Sequence, residues 1–242
     1  MHESGPATAT VVCVHGAGGG GWEWALWSRV LAARGHAVLA PDLVPGRDGL
    51  AETAFEDYRG QVVDWCQAVR SGPRILAGAS LGGLLALAAA VAAKPTALIL
   101  VNPLPPRGIL ARPLHEPSPG IVSWAGARSL ARTREALPDA DDATCLAAFR
   151  RWRDESGLVL NTARSGVEVA LPYCPILALA SERDDEVPLA ATRALAIRLS
   201  ADFAMLRGAS HLGALLGSTA PAAAHRAADW IDAVIARETE PD

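Results

Sequence analysis

The chain has 242 residues, a formal net charge of −4, and a composition that is 50% apolar and 20% charged. This length is ordinary for one α/β domain with a substantial core, and no polar or repetitive stretch indicates a long disordered segment. The negative balance, with no Lys/Arg cluster longer than Arg150-Arg151, argues against nucleic acid and anionic membranes as partners.

The sequence gives no sign of secretion or membrane insertion. No basic region precedes an apolar one at the N-terminus, and the longest apolar run, Leu84 to Ala93, is too short to cross a bilayer. The cysteines are far apart and form no Cys-x-x-Cys pair, which favours buried free thiols. We therefore expect one domain spanning residues 1–242 in the cytoplasm, as a monomer or a homodimer. The cysteines are Cys13, Cys66, Cys145 and Cys174.

Short apolar runs without alternation recur along the chain, which is the pattern of parallel strands buried on both faces. Strands are predicted at Thr10–Val14, Ala37–Ala40, Arg74–Ala77, Ala97–Val101, Pro175–Leu179 and Asp202–Leu206. Helices are predicted at Trp22–Ala33, from Phe55 to near Ser71, and at Leu84–Ala93, Trp124–Leu137, Ala143–Glu155, Pro188–Leu199 and Pro221–Ala236. This alternation predicts an α/β fold, with a mostly parallel central sheet of about six strands and helices on both faces.

One stretch, residues 102–171, interrupts the alternation with no convincing core strand. It is rich in proline and glycine as far as Gly120 and then carries two predicted helices. A long insertion of this kind predicts a helical cap laid over the edge of the sheet. Candidate substrate contacts there are Asn102, Trp124 and Trp152, although aromatic residues in such helices are often present for packing alone.

The pattern Gly-x-Ser-x-Gly occurs at residues 78–82, where a predicted strand leads into a predicted helix. Such a sharp turn strains the backbone of Ser80, and side chains two residues away on either side would clash. The turn lifts the serine clear of the sheet, and the helix aims its free N–H groups at charge developing on a bound carbonyl. Ser80 is therefore the candidate nucleophile, the alternative being a glycine-softened turn with an incidental serine.

A serine hydroxyl attacks efficiently only when a histidine, oriented by a carboxylate, takes its proton. An acidic loop at residues 182–186 follows one predicted strand, and Gly208-Ala209-Ser210-His211 follows the next. The chain order serine, acid, histidine is the one expected for such a site on a parallel sheet. His211 is the candidate base. The other histidines are interpreted as tail, turn, cap-loop and surface-helix residues: His2, His36, His115 and His225.

A glycine-rich loop, residues 15–21, follows the first predicted strand. In such a loop the backbone N–H of Ala17 can join that of Leu81 in holding an oxyanion. We expect His15 to be a structural residue that is hydrogen-bonded within this loop rather than a second base.

The same loop allows a second interpretation. Gly16, Gly18 and Gly21 satisfy the Gly-x-Gly-x-x-Gly spacing of a dinucleotide site, and Asp42 lies roughly where its acidic residue is sought. That interpretation is disfavoured because it leaves the serine and histidine motifs unexplained.

Together these motifs resemble the α/β-hydrolase superfamily across essentially the whole chain. The resemblance rests on His15-Gly16, Pro41-Asp42-Leu43, Gly78 to Gly83, Asp184 before Val187-Pro188, and Gly208 to His211. It implies a triad of Ser80, His211 and Asp184, because the family's pattern places the acid four residues before the proline that opens the next helix. Asp185 and Glu186 are then expected to face solvent.

Within the superfamily, His15-Gly16-Ala17 followed by Gly21-Trp22-Glu23-Trp24 is similar to the branch of small methyl-ester esterases and hydroxynitrile lyases. Gly16 and Trp22 are further candidate substrate contacts on this basis. The lyases carry a threonine where Gly16 stands, which disfavours lyase activity. Larger members begin with an antiparallel hairpin, which we expect to be shortened or absent because the first predicted strand begins at Thr10.

The sequence thus predicts a serine hydrolase that cleaves a small-molecule carboxylic ester or thioester through an acyl-enzyme, with no metal and no organic cofactor. Two alternatives stay open, because a fold alone does not fix a function. One is a lyase-like or other non-hydrolytic activity on the same fold. The other is a catalytically silent homologue that only binds a ligand.

Overall fold

The computed structural model describes residues 8–109 and 116–239. The first part of the chain carries β1 (Thr10–Val14), α1 (Ala25–Ala33), β2 (Ala37–Leu39), α2 (Phe55–Ala68), β3 (Arg74–Ala79), α3 (Leu81–Ala93) and β4 (Ala97–Val101). The middle part carries β5 (Ile121–Val122), α4 (Leu130–Ala136), α5 (Asp142–Phe149), β6 (Glu155–Ser156) and α6 (Gly157–Ser165). The last part carries β7 (Ile176–Ser181), α7 (Leu189–Arg198), β8 (Asp202–Leu206), α8 (Gly213–Leu216) and α9 (Ala220–Thr239). His2 and His115 lie outside the described residues.

The described residues form a six-stranded sheet with the order β2-β1-β3-β4-β7-β8. Every neighbouring pair is parallel, so the carboxyl ends of all strands meet at one edge. From β1 the chain moves outward to β2 and then returns to β3 on the other side, which makes the β1/β3 boundary a topological switch point. In open parallel sheets, ligands bind in the crevice at such a point. The predicted α/β class and strand number are confirmed.

Two apolar cores cover the two faces of the sheet. One core contains Trp24, Trp27 and Leu31 beside α1, together with the buried side of α9. The other lies under α2, α3 and α7, and the buried residues of α3 extend around most of the helix. The four inner strands β1, β3, β4 and β7 are buried almost throughout, which explains their uninterrupted apolar runs. The edge strands β2 and β8 are partly exposed.

The segment between β4 and β7 differs from its prediction in detail. The predicted helix from Trp124 begins only at Leu130, where the Ser129 hydroxyl accepts the Arg132 N–H. The second helix stops at Phe149, and Glu155 instead enters a short antiparallel pair in which β5 joins β6. Helix α6 was missed, and its start is fixed by the Ser156 hydroxyl, which accepts the Val159 N–H. Local caps, rather than apolar periodicity, set these boundaries.

All four cysteines are free thiols, and Cys13, Cys66 and Cys145 are buried. Across the described ranges, no helix combines the length and the apolar character that a bilayer crossing requires.

Candidate active site

Ser80 occupies the one-residue turn between β3 and α3. Its backbone has φ 53° and ψ −119°, a conformation that is unfavourable for a residue with a side chain. The Ser80 N–H donates to the carbonyl of Val101 at 3.0 Å, and this bond to the neighbouring strand helps to hold the strained turn. The sheet therefore presents the serine side chain at the switch point.

The glycines around Ser80 are required by close backbone approach. A Cβ at Gly78 would overlap the backbone of Gly82, and a Cβ at Gly82 would overlap the carbonyls of Val14 and His15. These clashes are the ones that the sequence pattern predicts for a sharp strand-to-helix turn. The absence of side chains at these positions lets the first turn of α3 lie directly against the end of β1. The helix starts at Leu81, three residues before the predicted Leu84.

The structure brings Ser80, His211 and Asp184 together. The Nε2 atom of His211 lies 2.9 Å from the Ser80 hydroxyl, and its Nδ1 atom lies 2.8 Å from Oδ2 of Asp184. The three side chains come from the loops after β3, β8 and β7, which all end at the same edge. The Asp184 side chain is 1% exposed and that of His211 is 10% exposed, so water is largely excluded from their contact.

Both carboxylate oxygens of Asp184 accept hydrogen bonds. While Oδ2 faces the imidazole, Oδ1 accepts the backbone N–H groups of Glu186 at 2.9 Å and Val187 at 2.7 Å. Asp185 and Glu186 are exposed, as expected, and they also border the cavity described below. Of the acidic side chains in this loop, Asp184 is therefore the one in contact with His211.

The loop after β1 carries an unpaired amide between two paired ones. The Gly16 N–H donates to Oε2 of Glu23 at 3.2 Å, and the Gly18 N–H donates to Oε2 of Glu155 at 3.0 Å. The intervening N–H of Ala17 has no acceptor among the described residues. Leu81 is the first residue of α3, where backbone N–H groups lack intrahelical acceptors. The two predicted oxyanion donors are thus available beside Ser80.

Both ring nitrogens of His15 form hydrogen bonds with the backbone in and near this loop. Its Nδ1 atom donates to the carbonyl of Gly16 at 2.8 Å, and its Nε2 atom accepts the backbone N–H of Leu43 at 2.9 Å. Burial lowers the pKa of His15 to about 4, so the ring is neutral at physiological pH. The predicted hydrogen bonding of His15 within this loop is confirmed.

Arg153, from the segment between β4 and β7, binds the far side of the same loop. Its Nε–H donates to the carbonyl of Gly19 at 2.7 Å, and its backbone N–H donates to the carbonyl of Gly18 at 2.8 Å. Its guanidinium also pairs with Asp42 at 3.2 Å, and Asp42 in turn accepts the N–H of Gly21. Asp42 therefore supports the loop from β2.

A cavity of about 450 Å³ opens above Ser80 and His211. Its walls include Gly16, Trp124 and Trp152, three of the predicted substrate contacts. The walls are mostly apolar, but charged side chains that sequence reasoning missed also border the cavity: Glu23, Arg128, Arg132 and Arg164. Within the part of the chain that the structure describes, no group of three or more His, Cys, Asp and Glu side chains could hold a metal ion.

Two predicted substrate contacts lie elsewhere. Trp22 does not line the cavity, because its ring packs edge-to-face on Trp152 with 5.5 Å between the ring centroids. Asn102 is 2% exposed, and its amide donates to the carbonyl of His211 at 2.7 Å and to the Ser181 hydroxyl at 2.9 Å. Asn102 thus supports the histidine loop from β4 rather than facing the cavity.

Three features are together typical of the α/β hydrolases. They are the open parallel sheet, the serine in a sharp turn after β3, and the histidine in the loop after β8. The sequence profile of the "Alpha/beta hydrolase family" matches residues 11–230, and the chain belongs to that family.

Several solved structures are similar to this chain. The pyrethroid hydrolase PytH is 25% identical, with a TM-score of 0.69 over 94% of this chain and 99% of that one. Polyneuridine aldehyde esterase is 16% identical, with a TM-score of 0.69 over 93% of this chain and 99% of that one. A thioesterase domain from the curacin biosynthetic pathway is 20% identical, with a TM-score of 0.63 over 96% of this chain and 92% of that one. Because their sequence identities to this chain are only 16% and 20%, the last two structures are evidence for a shared fold alone. A search of the curated proteins gave no match.

Proposed function

We propose that this protein is a serine hydrolase that cleaves a small carboxylic ester or thioester through an acyl-enzyme. The observation that carries this proposal is the unbroken hydrogen-bond chain from Ser80 through His211 to Asp184, with lengths of 2.9 and 2.8 Å. Membership of the family supports it, as does the similar structure named as a pyrethroid hydrolase. The free cysteines agree with a reducing compartment such as the cytoplasm.

In the proposed acylation step, Ser80 Oγ attacks the carbonyl carbon of the bound ester while His211 Nε2 takes the hydroxyl proton. The carbonyl oxygen becomes an oxyanion, which the N–H groups of Ala17 and Leu81 stabilise. Asp184 keeps the proton of His211 on Nδ1 and stabilises the imidazolium. The tetrahedral intermediate then collapses, and His211 returns its proton to the leaving alcohol or thiol.

In the proposed deacylation step, water takes the place of the leaving group. His211 Nε2 removes a proton from this water, which attacks the acyl carbon and forms a second oxyanion in the same site. Collapse of this intermediate breaks the bond to Ser80 Oγ, which regains its proton from His211. The carboxylic acid leaves, and no metal or organic cofactor takes part.

We propose that residues 102–171 act as a cap that shapes the substrate pocket. Side chains from this segment, among them Trp124, Thr133, Trp152 and Leu160, border the cavity, while the proposed catalytic groups come from the sheet edge. The Trp152 ring N–H donates to the Thr133 hydroxyl at 3.0 Å. This hydrogen bond joins two of the side chains that form the cavity wall. The mostly apolar walls suit an apolar acyl or alcohol group.

A chromogenic ester tests the acyl-enzyme directly. We expect rapid release of about one chromophore per protein, a burst that is typical of acyl-enzyme accumulation, followed by slower turnover. Stopped-flow absorbance measures the burst, and a panel of esters and thioesters of varied chain length identifies the preferred acyl group. A protein that binds these esters without releasing chromophore would be the silent homologue instead.

The cap proposal predicts separate effects on preference and on rate. Trp124→Ala or Trp152→Ala should change the kcat/KM ratio between a bulky ester and an acetate ester by roughly 10-fold, because the pocket wall is altered. The acetate rate itself should change little, since the sheet holds the proposed triad. Equal losses on all substrates, accompanied by a lower melting temperature, would indicate that these rings serve packing alone.

A further inference from the structure

Glu23 is a buried carboxyl group inside the glycine loop. It lies in the 3-10 helix Gly21–Trp24, is 2% exposed, and borders the cavity. Oε2 accepts the Gly16 N–H at 3.2 Å, and Oε1 lies so close to Gly19 that a Cβ there would overlap it. The Gly19 N–H donates to the carbonyl of Gly16, which closes a turn that contains Ala17. The Glu23 carboxyl group contacts both ends of this turn, at Gly16 and at Gly19.

This turn also lies against the proposed nucleophile. A Cβ built on Gly16 would be 3.4 Å from the Cβ of Ser80 and 4.0 Å from Oε2 of Glu23. One glycine residue therefore separates the carboxyl group from the serine. A negative charge on Glu23 would face the place where the oxyanion develops.

The positively charged groups near Glu23 pair with other residues, so Glu23 has no ion-pair partner among the described residues. Within the described residues, no Lys, Arg or His nitrogen lies within 4.0 Å of its carboxyl oxygens. The guanidinium of Arg153 pairs with Asp42 instead, and burial keeps His15 neutral. His211, which borders the same cavity, contacts Asp184. An unpaired carboxylate is costly to bury, so this environment favours the protonated acid.

The electrostatics agree with this geometry. Burial raises the pKa of Glu23 to about 8, and nearby Asp42 adds to the increase. The Gly16 N–H and Arg153 act in the opposite direction, and their effect is smaller than that of burial. Glu23 is therefore largely uncharged at pH 7 and loses its proton as the pH rises through about 8.

We propose that Glu23 is a positioning residue whose uncharged carboxyl group fixes Gly16, aims the Ala17 N–H, and keeps negative charge away from the developing oxyanion. This inference rests on the proposed serine hydrolase function. In this role Glu23 acts through its contact with the loop. Above its pKa, the carboxylate repels the oxyanion across a water-poor site, where charge interactions are strong.

The test compares Glu23→Gln and Glu23→Ala with the wild type across the pH range in which Glu23 titrates. Gln keeps an oxygen that accepts the Gly16 N–H but cannot become charged, whereas Ala removes the acceptor. The readouts are kcat, KM and the rate at which a phosphonylating reagent modifies Ser80, since its phosphoryl oxygen occupies the same oxyanion site. Glu56→Gln, which changes an exposed carboxyl group on α2 that pairs with Arg59, is the control.

We expect the wild-type rate to fall as the pH rises through about 8, and the Glu23→Gln rate to lack this fall. At pH 7, Glu23→Gln should keep a rate within about 3-fold of the wild type, because the loop bond remains. Glu23→Ala should lose kcat by up to roughly 10²-fold with little change in KM, which is the cost of one misaligned oxyanion donor. The Glu56→Gln control should retain the wild-type profile.

A second measurement reports the protonation state without using activity. The folded pKa of about 8 lies above the ordinary value of 4.5, so between these values the folded protein holds a proton that the unfolded chain has lost. Stability from this group is therefore complete below about 4.5 and declines as the pH rises to about 8. Urea denaturation should show this decline in the wild type and not in Glu23→Gln.

The outcomes separate the two proposals. If Ser80 is phosphonylated but Glu23→Gln keeps the alkaline fall, or is impaired as much as Glu23→Ala, the role of Glu23 is refuted and the hydrolase proposal stands. If the wild type neither reacts with the reagent nor turns over esters, the hydrolase proposal fails. The positioning role then fails with it, whatever the denaturation profiles show.

Discussion

Ser80→Ala is expected to lower kcat on the order of 10⁶-fold, because it removes the hydroxyl on which the proposed acyl-enzyme forms. It should also abolish covalent modification by a phosphonylating reagent, whose single adduct in the wild type should map to the peptide containing Ser80. Alanine occupies the strained turn as readily as serine does, so the free energy of unfolding should change by less than about 1–2 kcal/mol. Initial rates, intact mass and urea denaturation together measure these effects.

Ser28→Ala is the matched control for this variant. Ser28 lies on α1, outside the cavity, and its hydroxyl donates to the carbonyl of Trp24, the residue just before this helix. Its loss should leave both activity and labelling intact. Full activity in Ser80→Ala would refute the serine hydrolase proposal. Loss of activity together with a noncooperative unfolding transition would instead mean that Ser80 is needed for folding.

The sheet was predictable because parallel strands buried on both faces leave a strong signal. The buried runs at Thr10–Val14 and Ala97–Val101 are observed with the predicted bounds. The run at Asp202–Leu206 is also observed with its predicted bounds, although it is a partly exposed edge strand. The glycine spacing around Ser80 was equally informative, since close backbone approach admits no other residue. Segment 102–171 was harder, because its helices begin at local caps such as Ser129 and are too short to show a clear apolar stripe.

The surroundings of the site were less predictable, because they depend on contacts between residues far apart in sequence. Arg153 binds a loop that lies 134 residues earlier, and nothing in its own neighbourhood indicates this. Asn102 was a candidate substrate contact in segment 102–171, but its side-chain amide donates to the histidine loop. Glu23 did leave a signal, since it is a charged residue placed between two tryptophans in an otherwise apolar and glycine-rich run.

Asp184 and Asp185 are adjacent in sequence and differ in their contacts, which allows a paired test. Oδ2 of Asp184 lies 2.8 Å from Nδ1 of His211, and the Asp184 side chain is 1% exposed. Asp185 is exposed and has no hydrogen bond to the imidazole among the described residues. If Asp184 orients the base, its replacement should be far more damaging than the same replacement one residue later. Asp185→Asn is thus a control with the same change in charge and size.

Asp184→Asn is expected to lower kcat by up to roughly 10⁴-fold. Oδ1 of Asp184 accepts two backbone N–H groups, so the carbonyl oxygen of asparagine should take that position and turn its NH₂ group toward His211. Nδ1 of the imidazole must then accept this hydrogen bond, which places the ring proton on Nε2, where it cannot remove a proton from Ser80. Asp185→Asn should stay within about 3-fold of the wild type, because an exposed carboxylate interacts weakly through water. The test is to measure kcat of both variants by steady-state kinetics. A larger loss of kcat in Asp185→Asn would assign the catalytic acid to Asp185 instead, and it would leave the proposed roles of Ser80 and His211 unchanged.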